Sequence, residues 1–120
     1  MAFADPLTVS IGNTDKQLVR VDSGRGASEY RLVEPTQSFQ MFIRSQELKI
    51  EKDGRRKYRH NISLRQTVFA TGTEPEITRD CSVSLIRYAS DDIAAINGVF
   101  AGVGALCTMA TAAKLNNFES

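Results

Sequence analysis

The stretch RKYRHNISLRQTVF, residues 56–69, sorts its side chains by parity. His60, Ile62, Leu64 and Val68 fall on one parity, and Lys57, Arg59, Asn61, Ser63, Arg65 and Thr67 on the other. Side chains alternate faces along a strand, so the stretch reads as one strand with an apolar side and a cationic, hydrogen-bonding side. Its neighbours carry the same division. In residues 39–50, Phe39, Met41 and Ile43 oppose Gln40, Phe42, Arg44 and Gln46, and Asp53-Gly54 supplies a hairpin turn before the next strand. After the tight connection ATGTEPE (70–76), residues 77–88 set Cys81, Val83 and Leu85 against Asp80, Ser82 and Ser84. Three successive strands with one polar face predict an antiparallel sheet that is wet on one side.

Upstream, Leu7, Val9 and Ile11 alternate with Thr8 and Ser10; a GNTD turn and QLVRV (17–21) complete a hairpin signal. DSGRGAS (22–28) reads as a loop, and SEYRLVE as a short strand that stops at Pro35. Downstream, Ser90-Asp91-Asp92 is N-cap chemistry, with acids at the positive end of a helix dipole. Ile93, Ile96, Phe100 and Val103 follow at helical spacing, with Leu106 beyond them. Gly98, Gly102 and Gly104 each cost about 1 kcal/mol relative to alanine in a helix, so this helix needs a partner surface. Gly104 marks the expected break into a second helix, which ends near Lys114 and Asn116-Asn117.

The fold class is therefore α+β in a single domain, residues 1–120: an N-terminal hairpin (7–21), an antiparallel sheet (28–88) and C-terminal helices (91–116). One or two helices under-cover such a sheet. Two subunits joined edge to edge, each laying its helices over the other's sheet, would cover both, so an obligate dimer is expected.

Composition adds limits. Hydrophobic residues make up 42% and charged ones 24%, values of an ordinary folded chain. A net charge of +1 excludes a generic polycation, so any nucleic-acid affinity must come from local charge. Such a concentration exists: residues 44–65 hold eight basic and three acidic side chains. Two cysteines and one histidine are too few for a zinc site, and Cys81 and Cys107 are expected to be reduced and to act as small apolar residues. MAFADPLTVS has no signal-peptide pattern. Residues 93–113 are uncharged, span a bilayer's length and contain Gly98-x-x-x-Gly102. Their Ala, Gly and Thr content gives weak transfer energy, so packing against protein is preferred over lipid.

The LTVSIG hairpin, RRKYRHNISL, FATGTEPEITRD, the SDD helix start and the AKLNNFES end, in this order and spacing, resemble the coat proteins of single-stranded RNA bacteriophages, the leviviruses. The short 70–76 loop and compact C-terminus look like the lineage of Caulobacter-infecting phages. The resemblance implies an N-terminal hairpin, a five-stranded antiparallel sheet and two C-terminal helices in an interlocked dimer. It further implies a virion protein with no enzymatic activity and no membrane partner, whose dimers build an icosahedral shell in the host cytoplasm. The inner sheet face would bind genomic RNA and, as in some relatives, an operator hairpin whose capture represses translation.

The RNA contacts so implied are Lys57, Arg59, Asn61 and Ser63, with Ser82 and Ser84 on the next strand; parity adds Arg44 and Arg65. Many relatives carry a tyrosine where Ser82 stands, which weakens the case for base stacking; Phe42 and Tyr88 are the available substitutes. Thr71, Gly72, Thr73, Glu74, Pro75 and Glu76 are assigned to contacts between dimers, and Ile93, Ile96, Phe100, Val103 and Leu106 to helices of the dimer. His60 is read as a hydrogen-bonded core or interface residue, with no serine or cysteine beside it together with an orienting acid. No cofactor is expected; Glu74, Glu76, Asp91 and Asp92 suit a Ca²⁺ at a subunit contact, with solvated loop acids the preferred reading. Two other classes fit part of the pattern: a protein anchored in membrane by residues 93–113, and a non-viral RNA-binding dimer.

Overall fold

The computed structural model describes residues 3–118; the first two residues and the last two, which end the AKLNNFES segment, lie outside the described residues. The strands are β1 (Leu7–Ile11), β2 (Thr14–Gly24), β3 (Ala27–Val33), β4 (Gln37–Glu47), β5 (Lys57–Val68) and β6 (Ile77–Tyr88), followed by α1 (Ile93–Leu106) and α2 (Met109–Asn116). All neighbouring strands are antiparallel, and the sheet is a plain meander in the order β1 to β6.

This arrangement corrects the expectation of a hairpin standing apart from a five-stranded sheet. β2 belongs to both. Its first half pairs with β1 through Leu18↔Leu7, and its second half pairs with β3 from Val19↔Arg31 onward. The register slips between Arg20 and Asp22, and such a bulge strengthens the local twist. The sheet curls there, which lets Leu7, Val9 and Ile11 pack against the buried cluster of Leu18, Tyr30, Phe39 and Met41. The arginine beside the bulge also settles the tyrosine: Arg20 Nη2 donates to the hydroxyl of fully buried Tyr30 at 2.7 Å.

DSGRGAS is likewise more ordered than a loop. Asp22, Ser23 and Gly24 continue β2, and only Arg25-Gly26 form the turn. Gly26 has φ +72°, and its carbonyl accepts from Ser45 N–H at 2.6 Å, stapling the turn to β4. A Cβ there would lie 2.8 Å from the Ser45 carbonyl oxygen, so glycine is required twice over.

The helices begin as the caps require. Asp92 accepts from Ala94 N–H at 3.1 Å, and Thr108 caps α2 by accepting from Thr111 N–H at 3.2 Å. The break comes later than Gly104: α1 runs to Leu106, and the chain turns at Cys107, whose N–H reaches back to the Val103 and Gly104 carbonyls. Among the described residues no single helix is long and apolar enough to cross a membrane; α1 and α2 together have the length but meet at 68°.

Within one chain the helices are barely covered. Ile96 is buried, while Ile93, Val99, Phe100, Val103, Leu106, Met109 and Leu115 remain substantially exposed. Cys81 and Cys107 are both free thiols and both exposed, unlike typical apolar-packed cysteines. The sheet's apolar side is thus covered by the N-terminal hairpin over β3 and β4. Over β5 and β6 it is only partly covered: Ile62 and Leu64 pack at the edge of the buried cluster, while Cys81 is exposed.

Candidate nucleic-acid interface

Register, rather than parity alone, decides which side chains are neighbours. Residues directly opposite on adjacent antiparallel strands share a face. Three rows cross the polar side: Phe42–Ser63–Ser82, Arg44–Asn61–Ser84 and Gln46–Arg59–Ile86. They are flanked by Gln40–Arg65–Asp80 at one end and Lys57–Tyr88 at the other. All eight residues expected to meet RNA (Arg44, Lys57, Arg59, Asn61, Ser63, Arg65, Ser82 and Ser84) therefore lie on one face. Their chemical states differ.

Arg65 is engaged: its Nε lies 2.8 Å from Asp80 Oδ1. Lys57 is engaged too, with Nζ 3.0 Å from Glu51 Oε1 and 5.0 Å from the Tyr88 ring centroid. The Tyr88 hydroxyl donates to the same Glu51 carboxylate at 3.1 Å, and Arg55 stacks on the Tyr88 ring while bonding Asp53 at 2.6 Å. The Lys57 hydrogen bond, reinforced by Tyr88, holds the Glu51 carboxyl below the ordinary carboxylate range, and Glu51 in turn raises Lys57. Asp53 is held low by the Arg55 backbone N–H and guanidinium.

Arg44 and Arg59 have no acidic partner among the described residues, and both are exposed. The Arg44 guanidinium carbon lies over the Phe42 ring, 5.0 Å from its centroid. With Gln46, Asn61, Ser84 and Ile86 the two arginines line a depression of about 340 Å³. Asn61 donates its amide hydrogens to Ser84 Oγ (2.8 Å) and the Val83 carbonyl (3.3 Å). Its own carbonyl oxygen is left as an acceptor. The depression thus offers two guanidinium donors, one fixed acceptor and the apolar side chain of Ile86. Parity placed Gln46 on this face; the contribution of Ile86 and the acids facing Lys57 and Arg65 required the register.

The opposite face carries a different cluster. His60 Nδ1 is 2.8 Å from Ser45 Oγ, and Arg87 Nε donates to Nε2 at 3.0 Å. A bare Nε2 puts the proton on Nδ1, so the ring is neutral and donates to Ser45. Burial first, and then the Arg87 charge, push its pKa below the ordinary value. Ser45 sits beside His60, but the ring's other nitrogen faces a guanidinium where a relay would need an acid. Beside this cluster a second hollow of about 340 Å³ opens between the apolar sheet face (Ile43, Ile62, Val83, Leu85) and Phe100 of α1.

The loop from Thr71 to Glu76, which includes Gly72, Thr73 and Pro75, is exposed throughout. It is closed by Thr71 N–H donating to the Glu74 carbonyl at 2.9 Å and by Glu74 N–H donating to Thr71 Oγ1 at 3.1 Å. Of the residues assigned to the dimer helices, Ile96 is buried within the chain, and Ile93, Phe100, Val103 and Leu106 present free apolar surface.

No curated protein matches the chain. A family model described as phage phiCb5 coat protein matches residues 4–87, which takes in β1 to β5 and all of β6 but its last residue, Tyr88. The chain belongs to the phage phiCb5 coat-protein family and is a capsid protein of the virion.

Proposed function

We propose that this capsid protein pairs with a second copy through the β6 edge and the C-terminal helices, and that its polar sheet face binds genomic RNA. The carrying observation is the two-sidedness of the sheet. One face holds unpaired Arg44 and Arg59 amid Asn61, Ser63, Ser82 and Ser84, and the other leaves an apolar hollow beside helices that their own chain does not cover. β6 pairs on one side only, with β5, so its second edge can template another strand. Helices with exposed apolar side chains are suited to closing the open part of a neighbour's sheet, giving the interlocked homodimer. Large exposed apolar surface on a single chain marks an interaction site.

Dimers then close into an icosahedral shell, assembled in the host cytoplasm, with the Thr71–Glu76 loop at contacts between them. The reading needs no cofactor and no membrane. A Ca²⁺ at a subunit contact would draw ligands from more than one subunit, because among the described residues no three His, Cys, Asp or Glu side chains come together. An operator hairpin acting in translational repression would use the same polar face. There Ser82 offers a hydroxyl rather than a ring, so stacking falls to Phe42 and the Arg44 guanidinium plane.

Electron microscopy of the recombinant protein, with extraction and sequencing of co-purified nucleic acid, tests this. Closed particles containing RNA are expected. Persistent small dimers, or particles that form equally well without nucleic acid, would contradict it.

A further inference from the structure

We propose that Glu51 and Asp80 act as internal phosphate mimics, masking Lys57 and Arg65 and confining single-stranded RNA to the strip between them. The inference rests on the RNA reading above and concerns how that face is regulated.

The argument starts from β5. Lys57, Arg59, Asn61, Ser63 and Arg65 are alternate residues on one side of a single strand, spaced about 7 Å apart. A continuous ladder of cations and hydrogen-bond donors would let RNA run the whole length of the strand. Both ends of the ladder are closed by carboxylates instead. Asp80 stands directly across from Arg65 in the β5–β6 register and holds it at 2.8 Å. Glu51 comes from the loop before β5, reaches Lys57 at 3.0 Å, lies 3.7 Å from Arg55, and is fixed by the Tyr88 hydroxyl. Each carboxylate accepts the hydrogen bonds that a phosphate oxygen would accept from the same cation. The middle of the ladder has no such occupant: Arg59, and Arg44 across from Asn61, are open.

Both pairs are solvent-accessible, with side-chain exposures of 50% and 59% for Arg65–Asp80 and about a third each for Lys57–Glu51. Exposed pairs are weak, so a phosphate can displace the carboxylate. The displaced acid then remains beside the phosphate as a like charge, and the exchange yields little net affinity. Glu51 and Asp80 thereby set where on the face RNA is held, although neither touches it.

A double-mutant cycle on the purified full-length protein tests this, reading the affinity for a short unstructured RNA at several salt concentrations. Asp80→Asn should tighten binding about two- to five-fold, the range of a released surface pair. It should also steepen the slope of log affinity against log salt by about 0.7, one added phosphate contact. Arg65→Gln should weaken binding at least three-fold more in the Asp80→Asn background than in the wild type. The same cycle on Glu51→Gln and Lys57→Gln gives an independent reading if one variant folds poorly. Additive effects in both cycles, as general charge removal would produce, overturn the masking while leaving RNA binding intact. Particles whose wild type and variants alike ignore RNA overturn the RNA reading itself, and the masking with it.

Discussion

The sharpest consequence of the register is a shallow salt dependence. Four cations were expected to meet phosphates on each subunit, and two of them, Lys57 and Arg65, already have carboxylate partners. A single-stranded ligand releases counterions with a slope of about −0.7 per phosphate neutralised, so Arg44 and Arg59 alone give about −1.4 per subunit. Raising monovalent salt from about 50 to 200 mM should then weaken binding of a short oligonucleotide about seven-fold, against roughly fifty-fold for four free cations. Arg59→Ala should halve the slope to about −0.7, because it removes one of two contacts. Arg59 has no acidic partner among the described residues, so dimer yield and thermal stability should be unchanged. Fluorescence anisotropy with an RNA short enough to occupy one subunit's face measures both quantities. A wild-type slope near that of four cations, or an Arg59→Ala slope equal to the wild type, would refute the assignment.

Three further outcomes follow from other parts of the chain. Gly26→Ala forces a left-handed residue and drives its Cβ against the Ser45 carbonyl; the loss should be about 2 kcal/mol or more in urea unfolding, and a change under 0.5 kcal/mol would contradict the geometry. Because the His60 pKa is lowered in the folded chain, the unfolded chain takes up the proton first as pH falls through the ordinary value of 6.5. Stability should therefore decline with falling pH from there to the folded pKa, and His60→Asn should remove that part of a pH series of unfolding midpoints. Gly102 has open space around an added Cβ within its own chain; Gly102→Ala should stabilise a free helix by about 1 kcal/mol, so lost dimer or particle yield by size exclusion would locate a partner surface there.

Much of the architecture was legible because strand parity is a local property. The alternation in residues 56–69 needs no knowledge of neighbours, and the same holds for 39–47 and 77–88. The Asp92 cap was readable for the same reason. What escaped depends on distant contacts. DSGRGAS has loop composition, yet Asp22 to Gly24 continue as strand because β3 pairs with them across a two-residue turn. The role of β2 in two pairings follows from a bulge that its composition does not mark. Asp80 was placed on the polar face, but that it stands against Arg65 depends on the β5–β6 register, which the 70–76 connection sets. The cysteines show a third kind of gap. Their composition-based burial presumes a complete core, and in this fold the missing cover is expected from another copy.

On the proposed reading, these charges also bear on how such a subunit would attract RNA and still approach its own kind. A net charge of +1 leaves little overall repulsion between copies. Half of the basic residues in 44–65 are held in pairs: Arg55 with Asp53, Lys57 with Glu51, Arg56 near Glu47, and Arg65 with Asp80 from β6. Of the four basic residues left without an acidic partner among the described residues, Lys49 and Lys52 lie in the loop before β5, and Arg44 and Arg59 stand on the sheet face opposite the apolar hollow, so the proposed attraction for RNA is spatially separated from the surfaces proposed to pair copies. Two contacts per subunit make weak binding, but copies joined in a shell present many such faces to one RNA at high effective concentration. Avidity then rewards RNA bound by an assembling shell over RNA bound by a lone dimer. A face with all four cations free would erode that difference, because each dimer would hold RNA firmly before any shell had formed. On this argument the carboxylates at the ends of the face favour assembly by keeping single-subunit affinity low, and the shallow salt slope is its direct measure.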